Sequence, residues 1–256
     1  MNNSKSSKAF SRLGLIVAGV IMGYAVESKA VPVLQVYVEG ATYDATTETW
    51  VGDFDAGGTV RLWTIGNVDG NGGKGTIYDV KLAVAYSSAD TPTISLVSST
   101  TGGFGGFTDP SLANTATFLQ TVTDGSTPLL GDGSSLASHG IYGAGTSWQE
   151  FGLGDFSKTD ALGGDFITAL PSPPSGGYDI NVYEVTVTGT GLVHFDLYNH
   201  TESATSGQVK YWFAPFSHDG EAGGNGVPDG GSTLALLGLA LVGFGVAMRK
   251  LEFKAN

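Results

Sequence analysis

The stretch Tyr178–Thr188 constrains this chain most. Tyr178-Asp179-Ile180-Asn181-Val182-Tyr183-Glu184-Val185-Thr186-Val187-Thr188 is dense in β-branched and aromatic side chains, which fit a pleated strand and lose rotamer freedom in a helix. Gly189-Thr190-Gly191 interrupts it, and Leu192–Tyr198 resumes the alternation. Val193, Phe195 and Leu197 share one face, and His194 and Asp196 share the other. The pattern predicts a β-hairpin turning at 189–191, with His194 and Asp196 as a solvent-facing pair.

Other segments carry the same period of two. Val33–Glu39, Thr59–Ile65 and Thr76–Tyr86 alternate apolar and polar residues, and Thr42–Asp44 with Glu48–Val51 reads as a short hairpin. Thr93–Val97, Thr117–Val122 and Gln208–Phe213 are further strands. Thr123–Ser147 is polar, Gly-rich and loop-like, and a loop of that length is usually functional. No helical period of useful length occurs between the two ends of the chain. Many short strands with Gly, Pro and Asn turns imply an all-β fold, an antiparallel β-sandwich or jelly roll. No fixed-period repeat argues for a propeller or solenoid.

The two ends read differently. Lys5, Lys8 and Arg12 precede the apolar run Leu13–Ala25, and Ser28-Lys29-Ala30 places small residues where signal peptidase needs them. This predicts a secretory signal peptide over residues 1–30, cleaved after Ala30. At the other end Leu234–Met248 is apolar, relieved only by Gly, and closed by Arg249 and Lys250. A helix over Ser232–Met248 rises about 25 Å, the short end of what crosses a bilayer core of ~30 Å. Arg249 and Lys250 then stop the segment on the cytoplasmic side. The expected organisation is a signal peptide (1–30), a β-sandwich ectodomain (31–222), a linker with the motif Val227-Pro228-Asp229-Gly230-Gly231 (223–231), a transmembrane helix with a basic end (232–250) and a cytoplasmic tail (251–256).

The expected ectodomain is acidic. Between Val31 and Gly226 five cations face twenty-one carboxylates, a net charge of −16. Such a surface repels nucleic acid, so no nucleic-acid partner is expected. Cysteine is absent, which excludes thiol catalysis and thiolate metal sites. A domain of this length buries enough apolar surface without disulfides.

The C-terminal order of parts resembles the PEP-CTERM class of sorting signals, in particular its VPDSG-CTERM variant. The residues that carry the likeness are Val227-Pro228-Asp229, Gly231, Ser232–Gly243 and Arg249-Lys250. Gly230 stands where the variant usually has Ser, and Leu251–Asn256 continues past the basic pair. The resemblance implies export, a precursor anchored in the inner membrane by its C-terminal helix, and processing by an exosortase. The product then resides at the cell surface or outside the cell. The middle of the chain resembles the choice-of-anchor N proteins. That likeness runs through Leu34-Gln35, Thr42-Tyr43-Asp44, Thr47-Glu48-Thr49, Ser175–Asn181, Val185–Gly189, Val193–Tyr198 and Phe213–Asp219. It implies a bacterial surface or matrix protein and no assigned activity.

Few residues suggest chemistry of their own. Asn67, Asp69 and Asn71, with Gly72, match the first half of an EF-hand-like calcium loop, without the acid at its twelfth position. A Gly-rich hairpin loop is the plainer reading, so no cofactor is required and calcium is the one candidate. Ser217-His218-Asp219-Gly220-Glu221 reads as a solvated spacer, or as part of a metal site should the fold bring Asp53 or Asp55 to it. None of the histidines lies in H-E-x-x-H, and no G-x-S-x-G elbow occurs. Trp148, in the weakly patterned stretch, is the expected exposed platform for a sugar ring, the other aromatics serving packing. The sequence therefore predicts a non-enzymatic, exported surface or matrix protein, associated with exopolysaccharide or biofilm and processed by exosortase. The rival is a carbohydrate-binding module, calcium-dependent or not. A hydrolase rests only on scattered His and Asp residues.

Overall fold

The structure, a computed structural model, describes residues 31–54, 58–70, 72–99, 108, 111–137, 141–166, 175–215 and 219–223. The signal segment with Ala30, and everything from 224 onward, lie outside the described residues. So do Asp55, Asn71, His139 and His218.

Among the described residues the fold is all-β. The strands are β1 (Leu34–Val38), β2 (Thr42–Asp44), β3 (Thr49–Asp53), β4 (Thr59–Asn67), β5 (Ile77–Ser87), β6 (Thr93–Ser99) and β7 (Thr117–Val122). They continue with β8 (Thr146–Phe156), β9 (Ala161–Gly163), β10 (Ser175–Thr188), β11 (Leu192–Glu202), β12 (Val209–Phe213) and β13 (Gly220–Gly223). One sheet runs β1-β4-β10-β6, with β9 added to β10. The other runs β2-β3-β13-β11-β5-β8-β7, with β12 added to β11. All pairings are antiparallel except β3 with β13, which is parallel.

The sheets bury their facing sides in one core. Leu34, Val36, Leu62, Tyr183 and Val185 from the first sheet meet Leu82, Val84, Phe151, Phe195 and Leu197 from the second. Each sheet is also covered on its outer side, so β4, β5, β10 and β11 are buried on both faces along most of their length. On the first sheet the outer layer is Tyr37, Trp63, Ile65, Tyr178, Ile180 and Phe166. On the second, Leu130, Leu136 and Tyr142 fold over Ala83, Ala85, Trp148 and Tyr198. The described residues 123–137 and 141–145 are therefore a cover, pinned by turns of their own. Leu130 N donates to Ser134 O and Leu136 N to Pro128 O, each at 2.8 Å. Asp124 and Asp132 each accept from the side chain and the backbone N–H of the serine two residues on, Ser126 and Ser134, which forms local turns and holds both carboxyls below their usual range.

Three expectations need correction. The hairpin at 189–191 does not form. Gly189, at φ +87°, turns the chain from one sheet into the other. β10 already has β4 and β6 on its two edges, and β11 has β5 on one edge with β13 and β12 sharing the other. Alternation specifies which face a residue takes, not which strand lies beside it. Second, β8 occupies ground where the sequence shows little pattern, because Gly152, Gly154 and local register shifts break its period. Third, Asp219 and Glu221 do not belong to a solvated spacer: β13 inserts between β3 and β11.

Burial of Tyr37 and Tyr178 within the outer layer of the first sheet makes stability depend on pH. The two residues are 3% and 0% exposed, and burial pushes both phenols above the usual value of 10.0. Above pH 10 the unfolded chain loses these protons while the folded chain keeps them. The unfolded state then binds fewer protons, so stability falls as pH rises from 10 through the raised folded-state pKa values. Urea unfolding at several pH values above 10 checks this, with Tyr37→Phe expected to flatten the slope. An unchanged slope in that variant counts against the account.

Candidate functional site

His194 and Asp196 project from the same side of β11, as their spacing requires. That side is not open to solvent. They are 3% and 2% exposed, which corrects the expected solvent-facing pair. The reason is the cover between β7 and β8, which places the Tyr142 hydroxyl on Asp196 Oδ2 as a donor at 2.5 Å. From the other side β13 pairs with β11, His194 opposite Glu221. Asp219, just before β13, reaches the same spot and is fully buried.

The resulting group is dense. His194 Nε2 lies 3.3 Å from Asp196 Oδ2 and 3.5 Å from Asp219 Oδ2, and His194 Nδ1 lies 3.2 Å from Glu221 Oε1. Burial alone would lower the imidazole pKa. The Asp196, Glu221 and Asp219 carboxylates outweigh it and raise His194 to about 10. Tyr142 is pushed well above its usual value, by burial first and then by Asp196. A neighbouring polar group on the same face holds Glu150, which accepts from Tyr198 Oη at 2.5 Å and Gln120 Nε2 at 2.8 Å and lies 3.6 Å from Lys81 Nζ.

Only part of this group was visible in the sequence. His194-x-Asp196 marks a shared face, and Asp219 with Glu221 marks an acidic pair. Nothing in Gly220-Glu221-Ala222-Gly223 announces a strand, so their meeting was not readable. The expected partner of Asp219 was Asp53 or Asp55. Asp53 instead pairs with Gly223 at the far end of β13. Tyr142 lies in a stretch of loop-like composition.

The other predicted positions are separate from this group. Asn67 ends β4 and is fully buried. Its loop is closed by backbone bonds: Asp69 N to Gly177 O at 2.7 Å, Gly75 N to Val68 O and Gly73 N to Gly70 O, both at 2.8 Å. Gly177, at φ +99°, lies so near that a Cβ there would sit 2.5 Å from the Asp69 carbonyl carbon. Asn71, the third residue of that pattern, lies outside the described residues. Trp148 is 3% exposed, and its Nε1 donates to Ser126 O at 2.7 Å. The expected exposed sugar platform is thus a clamp that holds the cover down. Trp212 is half-buried with Lys210 Nζ 4.0 Å above its ring. The sorting residues Val227, Pro228, Asp229, Gly230 and Gly231, and the stop residues Arg249 and Lys250, lie outside the described residues.

Comparison with protein families finds the VPDSG-CTERM motif at residues 226–251. Neither the curated proteins nor the solved structures contain a match to this chain. The motif is a PEP-CTERM-type sorting signal, so the chain carries a C-terminal address for export to the cell surface, consistent with processing by exosortase.

Proposed function

We propose that this chain is a non-enzymatic bacterial surface or extracellular-matrix protein whose acidic β-sandwich is the delivered cargo and whose C-terminus is the substrate of an exosortase. The carrying observation is the VPDSG-CTERM motif at 226–251, immediately downstream of the last described strand, which ends at Gly223. That order suits a folded domain displayed outside while a short apolar segment waits in the inner membrane. The delivered domain is of the choice-of-anchor type and associates with exopolysaccharide. Two features support a cargo role. Its surface charge favours solubility and repels anionic headgroups. Its aromatic residues are largely spent on packing, Trp63 and Trp148 both being buried.

The test is removal of residues 226–251 from the gene in its own cells. Protease added to intact cells is expected to digest the full-length product at the surface, while the shortened product leaves the surface fraction. Equal surface display of both forms would overturn the proposal.

A further inference from the structure

We propose that His194, Asp196 and Asp219 form a buried binding site for one divalent transition-metal ion of the zinc or manganese type. The three residues present donor atoms that lie within 4.8 Å of one another. The separations of 3.3 and 3.5 Å between Nε2 and the two carboxylate oxygens match the edges of a coordination shell. Ligands held about 2.0–2.2 Å from an ion at tetrahedral angles stand roughly 3.4 Å apart. One imidazole with two carboxylates is a donor set that suits zinc or manganese. Calcium prefers six to eight oxygens, which this group does not offer.

The surroundings are those of a metal-ligating histidine. Glu221 Oε1 lies 3.2 Å from Nδ1 and can accept its proton, which leaves Nε2 as the donor atom facing the two aspartates. A carboxylate behind a ligating imidazole fixes its tautomer and its ring plane. Tyr142 does the same for Asp196 by donating to Oδ2. The site also sits where negative charge is concentrated out of water, and a dication offsets such charge more completely than a proton does.

The ion would be structural rather than catalytic, because all three donor residues are buried. Its ligands come from β11 and from the residue that enters β13, and Tyr142 adds the cover. Binding would therefore fasten the last described strand, from which the sorting segment departs, to the middle of the second sheet.

The full chain, stripped with a chelator, is titrated with zinc, manganese and calcium chloride and followed by calorimetry and thermal unfolding. One zinc or manganese ion per chain is expected, with an unfolding midpoint several degrees higher that the chelator reverses. Asp219→Asn is expected to abolish both responses. Glu221→Gln, at the partly exposed outer position, keeps the stoichiometry and weakens affinity 10–100-fold, so the proposal is still tested if Asp219→Asn fails to fold. Absence of binding and of any midpoint shift overturns the site and leaves an imidazolium ion pair. A response to calcium alone, or one undiminished in either variant, places the ion elsewhere and overturns it equally.

Discussion

Replacing Phe195 with alanine lowers the stability of the domain by about 3–5 kcal/mol. Phe195 is fully buried in the first half of β11, between Val84 on β5 and Gly220 on β13. Its ring projects into the core shared by both sheets, among Leu82, Val84, Leu34, Val36 and Tyr183. Truncation removes the transfer free energy of the ring and leaves a cavity. Strands that are hydrogen-bonded on both edges cannot collapse to fill it. Urea unfolding should show a lower midpoint with an unchanged slope, the signature of lost stability without a change in the unfolded state. A loss below about 1 kcal/mol would mean that the two sheets do not share this core.

Trp148→Ala is the second large effect, also about 3–5 kcal/mol. The indole packs in the outer layer of the second sheet with Ala83, Ala85, Leu130, Leu136 and Tyr142, whose ring meets it edge-on at 6.5 Å. It also supplies the bond from Nε1 to Ser126 O. Trp148→Phe retains part of the packing but leaves that carbonyl without the indole donor, so an intermediate loss is expected, of which about 1 kcal/mol is the bond itself. Loss of the clamp should also expose the cover between β7 and β8 to protease before the rest of the domain unfolds. An exposed sugar platform would behave differently: its removal would leave stability nearly untouched and change only glycan binding. Denaturation and limited proteolysis of the two variants separate these roles.

The strands were legible wherever one face differs from the other. β1, β4 and β5 announce themselves through period-two alternation, and the β2–β3 hairpin through Thr42–Asp44 and Glu48–Val51 around a short turn, where Glu48 takes φ +57°. Partnership was not legible. Tyr178–Thr188 and Leu192–Tyr198 look like the two arms of a hairpin, yet they serve different sheets. Both are central strands, and a strand buried on both faces carries no mark of its neighbours. β8 and β13 escaped for a different reason: their glycines remove the side chains that would show a period.

The same limits explain the buried His194 group. The sequence places His194 and Asp196 on one face, but whether that face is wet depends on a cover built from Gly-rich turns. Leu130, Leu136 and Tyr142 are scattered through those turns without a period, so the stretch resembles a loop and behaves as a third layer. Asp219 joins only because β13 lies parallel to β3 and antiparallel to β11, a placement fixed by tertiary contacts. The C-terminal address is the opposite case. Its signal lies in the linear order of Pro-containing motif, apolar run and basic pair, which is legible in the sequence itself.

The most direct test of the sorting account is the intact mass of the mature protein recovered from its own cells, with and without the exosortase. An exosortase-dependent C-terminus within or beside Val227–Gly231 is expected, with a precursor retaining Arg249 and Lys250 when the enzyme is missing. A full-length C-terminus in both cells would contradict it and leave a domain held at the membrane by its own tail.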